Sequence, residues 1–147
     1  MKTFSIIFTI LVCTFLLSWT SRMKQNSFKE VAELKSFGTP DEVMNFPLGK
    51  VEIIKIGGAT IGRATFQPGW RWSLSVQPIA KTLSCEAPHF QYHVSGILKV
   101  KMDDGTIVEC KPGDVSLLPH GHDAWVVGEE PVVVVDFQGM IDFAKSK

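Results

Sequence analysis

The segment GDVSLLPHGHDAWVVG, residues 113–128, contains two short apolar runs with a turn sequence between them. The runs Val115–Leu118 and Ala124–Val127 are rich in β-branched and other apolar residues, which favours strands. Between them, Pro119 has a fixed φ and Gly121 tolerates a positive φ, a combination that is typical of turns. The segment therefore predicts two consecutive β-strands.

The same alternation of short strands and turn residues extends over most of the chain. From Val51 onward no helical period is found, and turn sequences recur roughly every 8–12 residues. Asp103-Asp104-Gly105 is the clearest of them, because Asp-Gly favours a tight hairpin. Strands are predicted at 51–56, 59–66, 70–76, 79–85, 89–94, 97–102, 106–110, 115–118, 124–127 and 132–138. This pattern predicts an all-β domain, either a sandwich or a barrel.

The run Val132–Val135 has no polar residue within it. A strand with apolar side chains on both faces is typical of a position that is covered on both sides. We therefore expect this strand to be buried on both faces rather than exposed at an edge.

Charge and motif content exclude several classes of function. The chain has 147 residues, with 15 basic and 15 acidic residues and a net charge of zero. No basic surface for nucleic acid is indicated, so we expect no nucleic-acid partner. The sequence also lacks a glycine-rich phosphate loop and the Gly-x-Ser-x-Gly motif of serine hydrolases. The size predicts one folded domain.

The N-terminus differs in character from the rest of the chain. Residues 3–21 carry no charge and are rich in Phe, Ile and Leu. We interpret residues 1–22 as a signal peptide or a membrane anchor, residues 23–36 as an extension, and residues 37–147 as the folded domain. The protein is then exported or held at a membrane through residues 3–21. If translation starts at Met23 instead, the protein is cytoplasmic.

All four histidines lie between His89 and His122. His89, Gln91 and His93 alternate along a predicted strand, so their side chains share one face and are candidates for lining a pocket. Residues four apart on a strand are separated by about 13 Å, too far for His89 and His93 to share one metal ion. One of the two, together with His122 and Cys85, is a more feasible ligand set.

Three indoles are candidates for a ligand-binding wall. Trp70 and Trp72 alternate on one predicted strand, and Trp125 lies on another. Indole rings with a few polar groups nearby are typical of small-molecule pockets, although plain core packing is the better explanation for at least one of the three. We therefore predict a ligand site formed by Trp70, Trp72, Gln91, His93 and Trp125.

The spacing Gly-x5-Pro-x-Gly, from Gly113 to Pro119-His120-Gly121, resembles the second motif of the cupin superfamily. Ser95-Gly96 is similar to the end of the first motif. The segments Pro68–Ser73, Met102–Thr106 and Gly121–Gly128 resemble short single-domain bacterial cupins of the type-2 kind. The resemblance implies a small double-stranded β-helix, the jelly-roll or cupin barrel, with a pocket in its mouth and a homodimeric assembly.

The metal ligands of that family are only partly matched. Cupins place a histidine pair where this chain has Thr82–Cys85, and a glutamate where it has His89. The resemblance therefore implies a degenerate metal site, in which Cys85, His89 and His122 form a rearranged set for one divalent ion of Fe, Mn, Zn or Ni.

Three functions are compatible with these features. The first is a small-molecule-binding or sensory cupin with a degenerate metal site. The second is a metal-dependent cupin enzyme of the dioxygenase or isomerase type. The third is an interaction module built on a dimer, which requires no cavity.

Overall fold

The computed structural model of the chain describes residues 31–138, 140 and 143–145. The chain divides into two compact units, and the larger one comprises Glu33–Lys147. The predicted signal peptide or anchor at residues 1–22 lies outside the described residues. Within the described ranges, no helix is both long enough and apolar enough to cross a membrane.

Among the described residues of the larger unit, short strands dominate, together with two helices of one turn each. The strands are β1 (Glu42–Phe46), β2 (Gly49–Ile56), β3 (Ala59–Phe66), β4 (His89–Ser95), β5 (Ile97–Met102), β6 (Ile107–Cys110), β7 (Val115–Leu118), β8 (His122–Val127) and β9 (Val132–Asp136). The helices are α1 (Trp72–Ser75) and α2 (Gln77–Ala80).

The strands form two antiparallel sheets. One sheet has six strands in the order β1-β2-β3-β9-β4-β7, and the other has three in the order β6-β5-β8. Since β9 pairs with both β3 and β4, the chain returns to the middle of the larger sheet, as in a jelly roll. The prediction of an all-β fold of the double-stranded β-helix kind is confirmed.

Alternation along each strand decides which side chains face the interior. On β4 the buried residues are His89, Gln91 and His93, and on β8 they are His122, Ala124 and Val126. Apolar residues from both sheets fill most of the space between, so the three imidazoles are enclosed in a largely hydrophobic core. The strand period therefore brings polar groups from two sheets into one interior.

The prediction of strands at residues 70–76 and 79–85 is wrong. The first region contains α1, and the second contains the end of α2 followed by irregular backbone. Trp72 and Val76 are spaced as neighbours on one helix face, and both are buried. Pro78 lies in the first turn of α2, where its missing N–H is tolerated. The packing of Trp72 and Val76 against the core therefore stabilises helical turns, although the amino-acid composition of the segment favours a strand.

Strand β9 is buried mainly on one face rather than on both. Val132 and Val134 are fully buried, whereas Val133 and Val135 are only partly buried. The strand lies between β3 and β4 and is therefore not an edge, but its outer face is not completely covered. A continuous β-branched run does not by itself distinguish these two environments.

Candidate metal centre

Three separate segments bring potential metal ligands together at one end of the larger unit. His89 is the first residue of β4, and His122 is the first residue of β8. Cys85 lies in the irregular segment before β4 and makes two backbone hydrogen bonds to the start of β8 and the residue before it. Its N–H donates to the carbonyl of His122 at 2.8 Å, and its carbonyl accepts from Gly121 N–H at 2.7 Å.

The side chains of Cys85, His89 and His122 converge. One ligand atom from each residue lies within 4.8 Å of the other two. The Cys85 Sγ to His89 Nε2 distance is 3.6 Å, and the two imidazole rings lie 5.4 Å apart between centroids. All three side chains are buried. These described residues thus form a cluster whose nitrogen and sulfur donor atoms are close enough together to hold a transition-metal ion.

The remaining nitrogen of each imidazole already has a partner. His89 Nδ1 is 2.6 Å from Asp136 Oδ2, and His122 Nδ1 is 2.8 Å from the carbonyl oxygen of Pro119. Both partners are acceptors, so each Nδ1 donates its proton, and each Nε2 is the nitrogen that can bind a metal ion in the neutral imidazole. This arrangement is typical of metal-ligating histidines, whose second nitrogen is held by a carboxylate or a carbonyl group.

Asp136 organises the surroundings of His89. Its side chain is fully buried, and Oδ2 also accepts a hydrogen bond from Gln91 Nε2 at 2.9 Å. Its other oxygen accepts from the backbone N–H of Gln138 at 2.6 Å. These donors stabilise a charged carboxylate that burial alone would disfavour. Sequence reasoning missed Asp136, although it is a lone acid at the inward parity of a strand of valines.

The electrostatics of the cluster favour a thiolate beside a protonated imidazole. Burial raises the pKa of Cys85, but the interactions of the thiol with His122 and His89 lower it by a larger amount. The net shift of this pKa is therefore downward. Burial lowers the pKa of His89, but the hydrogen bonds to Asp136 and Cys85 outweigh this and raise it. Since a thiolate is the form that binds metal ions, the Cys85 sulfur is prepared for ligation.

A small cavity lies beside the two imidazoles. Its volume is about 20 Å³, which leaves room for about one or two water molecules. Three of the five predicted ligand-binding residues line it, namely Trp70, Trp72 and Gln91. The other lining residues are Phe66, His89, Leu98, Leu118, His122, Ala124, Met140 and Phe143.

The structure places two predicted ligand-binding residues elsewhere. His93 is buried away from this cavity, and its Nε2 is 2.8 Å from Ser116 Oγ. Trp125 is on the outward parity of β8, where the guanidinium of Arg71 lies 4.9 Å from the centroid of its ring. Residues 70 and 72 therefore share the interior, while 125 belongs to the surface around the Arg71–Asp123 ion pair.

No protein-family model matches the chain, and no curated protein matches it either. Solved structures do match. Ectoine synthase from P. lautus aligns with a TM-score of 0.53 at 10% identity, over 73% of this chain and 78% of the other. A protein of unknown function from Rhizobium leguminosarum aligns with a TM-score of 0.51 at 16% identity, over 75% and 98%. A cupin-like protein from Thermotoga maritima has a TM-score of 0.45 at 15% identity, over 76% and 82%. The first two alignments, which have TM-scores above 0.5, show the fold, and they leave the activity to be argued from the site.

Proposed function

We propose that this cupin-fold chain binds one divalent transition-metal ion through Cys85, His89 and His122 and uses the adjoining cavity to bind a small molecule. In this proposal the protein is a small-molecule-binding or sensory cupin. The observation that carries it is the convergence of three buried ligand atoms within 4.8 Å of one another. The pairing of both Nδ1 atoms with Asp136 and Pro119 supports it, because it directs both Nε2 lone pairs to the cluster.

The donor set narrows the choice of metal. A thiolate with two neutral imidazoles is softer than the oxygen-rich sites that manganese prefers. Among the ions expected from the sequence, manganese therefore fits least well, and zinc and iron(II) are two of the ions that this donor set suits. His89 must lose its extra proton when the metal binds, so metal binding should release protons.

The number of ligands leaves room for an external one. Zinc takes four ligands, and a site with three protein ligands keeps one position for water or a bound molecule. A cavity lined by both His89 and His122 supports such a position, because a ligand there would lie beside two of the three metal-binding side chains.

The open position also supports a second function, a metal-dependent enzyme of the dioxygenase or isomerase type. A metal ion in a buried, largely apolar cavity polarises a bound oxygen atom more strongly than it does in water. The two functions differ in the fate of the ligand. Mass spectrometry of a ligand recovered from the metal-loaded protein distinguishes them, because only the enzyme returns a changed molecule.

Metal analysis of the purified full-length chain tests the proposal. After loading with zinc or iron(II) and removal of the excess, we expect one ion per chain. Each of the variants Cys85→Ser, His89→Gln and His122→Gln should lose most of the bound metal. His120→Gln is the matched control, because His120 is an exposed histidine two residues from His122. Less than a tenth of an equivalent in the unmodified chain, or unchanged binding in all three variants, overturns the metal centre.

A further inference from the structure

Two buried polar atoms among the residues lining the cavity have no hydrogen-bond partner. They are Gln91 Oε1 and Trp70 Nε1, and their side chains are among the most buried of the described part of the chain. Buried polar groups are nearly always paired, so each unpaired one requires an explanation. Both residues line the cavity beside the metal ligands, which suggests that a bound molecule supplies the missing partner.

The orientation of the Gln91 amide is fixed by Asp136. Because a carboxylate only accepts hydrogen bonds, the amide nitrogen of Gln91 faces Asp136 at 2.9 Å. The amide oxygen is then the group left over, and it can only accept. Gln91 therefore presents an acceptor while it remains tied to the carboxylate that holds His89.

Trp70 supplies the complementary group. Its ring stacks on Phe66 with a centroid distance of 3.9 Å and an angle of 19°, which fixes the plane of the indole. The indole nitrogen is a donor only. The cavity is therefore bordered by one residue with a free acceptor and one residue with a free donor.

We propose that Gln91 and Trp70 form a subsite for a small uncharged molecule that carries a hydrogen-bond donor and an acceptor on neighbouring atoms. A primary carboxamide is the simplest such molecule. Its N–H donates to Gln91 Oε1, and its oxygen accepts from Trp70 Nε1. This subsite rests on the proposed metal centre in one respect, since the open metal position and the subsite share the cavity.

Charge supports a neutral occupant. A divalent ion beside the Cys85 thiolate and the Asp136 carboxylate gives a formal sum of zero, so the site attracts neither anions nor cations strongly. An anion offers only acceptors and leaves Gln91 Oε1 facing another lone pair. A cation with only donors leaves the indole N–H of Trp70 unpaired.

Size limits the occupant as well. A cavity with room for about one or two water molecules limits the occupant to about three non-hydrogen atoms at most. Formamide, formate and formamidinium have this size and nearly the same shape. They differ in whether they offer both a donor and an acceptor, acceptors only, or donors only.

The experiment titrates these three probes into the zinc-loaded full-length chain. The readout is the indole ¹H–¹⁵N NMR signal of Trp70, identified by its loss in Trp70→Phe. We expect formamide to shift this signal saturably, and formate and formamidinium to bind at least about tenfold more weakly. Formate binding as tight as that of formamide, or no shift with formamide, overturns the subsite.

Variants add a second measurement. Gln91→Met keeps the volume but removes the acceptor, and we expect it to weaken formamide binding about tenfold. Gln67→Met is the control, because Gln67 is exposed. Equal formamide affinity in both variants also overturns the subsite. The zinc content of every sample is measured separately, so failure to hold zinc contradicts the metal centre, whereas a zinc-loaded chain that fails to distinguish the probes contradicts the subsite alone.

Discussion

Asp136 shows how a single buried side chain can organise this site. A fully buried carboxylate is unfavourable unless donors surround it, and here His89, Gln91 and the backbone of Gln138 all donate to it. It thereby fixes the tautomer of one metal ligand and the amide orientation of one cavity residue. The proposed metal centre and the proposed subsite are both coupled to this carboxylate.

Asp136→Asn should weaken metal binding without removing a ligand. The substitution keeps the size of the side chain but removes the charge that orients His89 and makes it more basic. Loss of such a partner typically lowers metal affinity about 10–100-fold. Competition with a coloured zinc chelator measures the change. Glu52→Gln is the control, because Glu52 is also buried but pairs with Lys50 and Arg63 instead. Equal zinc affinity in the two variants contradicts the role of Asp136.

His93 should make the stability of the fold dependent on pH. Burial lowers its pKa, and the opposing influence of Asp114 is smaller. The folded state therefore takes up a proton at lower pH than the unfolded state, whose value is about 6.5. Stability should be unaffected above that pH and should fall as the pH drops through it.

Urea unfolding of metal-free protein between pH 7.5 and 5.5 measures this effect against His93→Gln, which cannot be protonated. The unmodified chain should lose stability relative to the variant by up to about 1.4 kcal/mol per pH unit. Since Cys85 and His89 titrate in both proteins, their contributions cancel in the difference. Parallel pH profiles contradict the prediction.

Part of the candidate metal site could be predicted from the sequence. Strand parity and the roughly 13 Å between residues four apart were enough to group Cys85 and His122 with one of two histidines. The choice of His89 over His93 depended on the resemblance to cupins. Asp136 was missed because its partner His89 is 47 positions away along the chain. Pairings over such a distance depend on the order of strands in the sheet, which composition does not encode.

At the scale of single elements, the turn between β4 and β5 packs closely against the backbone of Pro131. Gly96 has a φ of +67°, and a Cβ there would lie 2.6 Å from the carbonyl oxygen of Pro131. Gly58 in the turn between β2 and β3 has a φ of +76°, but a Cβ there would meet nothing within 4 Å. A side chain at Gly58 would therefore meet only backbone strain, whereas a side chain at Gly96 would also collide with the backbone of Pro131.

Gly96→Ala should therefore destabilise the fold more than Gly58→Ala. Both substitutions carry the cost of a positive φ, about 1–2 kcal/mol. Gly96→Ala also pushes against a backbone atom that cannot rotate away, which adds about 1–3 kcal/mol. The free energy of unfolding in urea measures both. Equal values for the two variants contradict a close approach of Pro131 to this turn.

The two helices show where element prediction failed. Trp72, Val76 and Ala80 are four apart and have the spacing of a helix face, yet the surrounding residues have the composition of a strand. Each helix is only one turn long, so the repeat is too short to stand out against the alternation of Trp70 and Trp72. In contrast, β3 and β5 have the predicted bounds, because Gly and Asp turns mark their ends.

At the scale of the whole molecule, the fold class followed from the sequence because strand runs and turns repeat along the entire domain. The fate of residues 1–22 is a separate matter and stays a prediction. Expression of the full-length gene followed by intact mass measurement tests it. Export as a signal peptide predicts a chain shortened by about 22 residues in the exported fraction, and an anchor predicts the full mass in the membrane fraction. A start at Met23 predicts the shortened chain in the cytoplasmic fraction instead. A full-length chain in the soluble fraction contradicts all three.

The outer face of the six-stranded sheet carries an apolar patch around β4 and β7. Phe90 lies opposite Leu117, and Tyr92 lies opposite Val115 in the register of the two strands, and all four are exposed. Phe137 extends the patch, with its ring 5.9 Å from that of Phe90. Strand β7 is at the end of the sheet, so among the described strands its outer edge is unpaired. Exposed apolar patches of this kind are typical of association surfaces.

We expect this face to bury itself against a second copy of the chain, as the resemblance to cupins implies. A chain with no net charge does not repel its own copies, so the apolar area can drive association. Leu117→Asp places a charge in the middle of the patch and should convert the dimer to a monomer in light scattering after gel filtration. Leu83→Asp is the control, because Leu83 is 97% exposed compared with 73% for Leu117 and lies outside the patch. A monomeric unmodified chain, or a dimer that survives Leu117→Asp, contradicts this assembly, because charge burial at its centre should cost several kcal/mol.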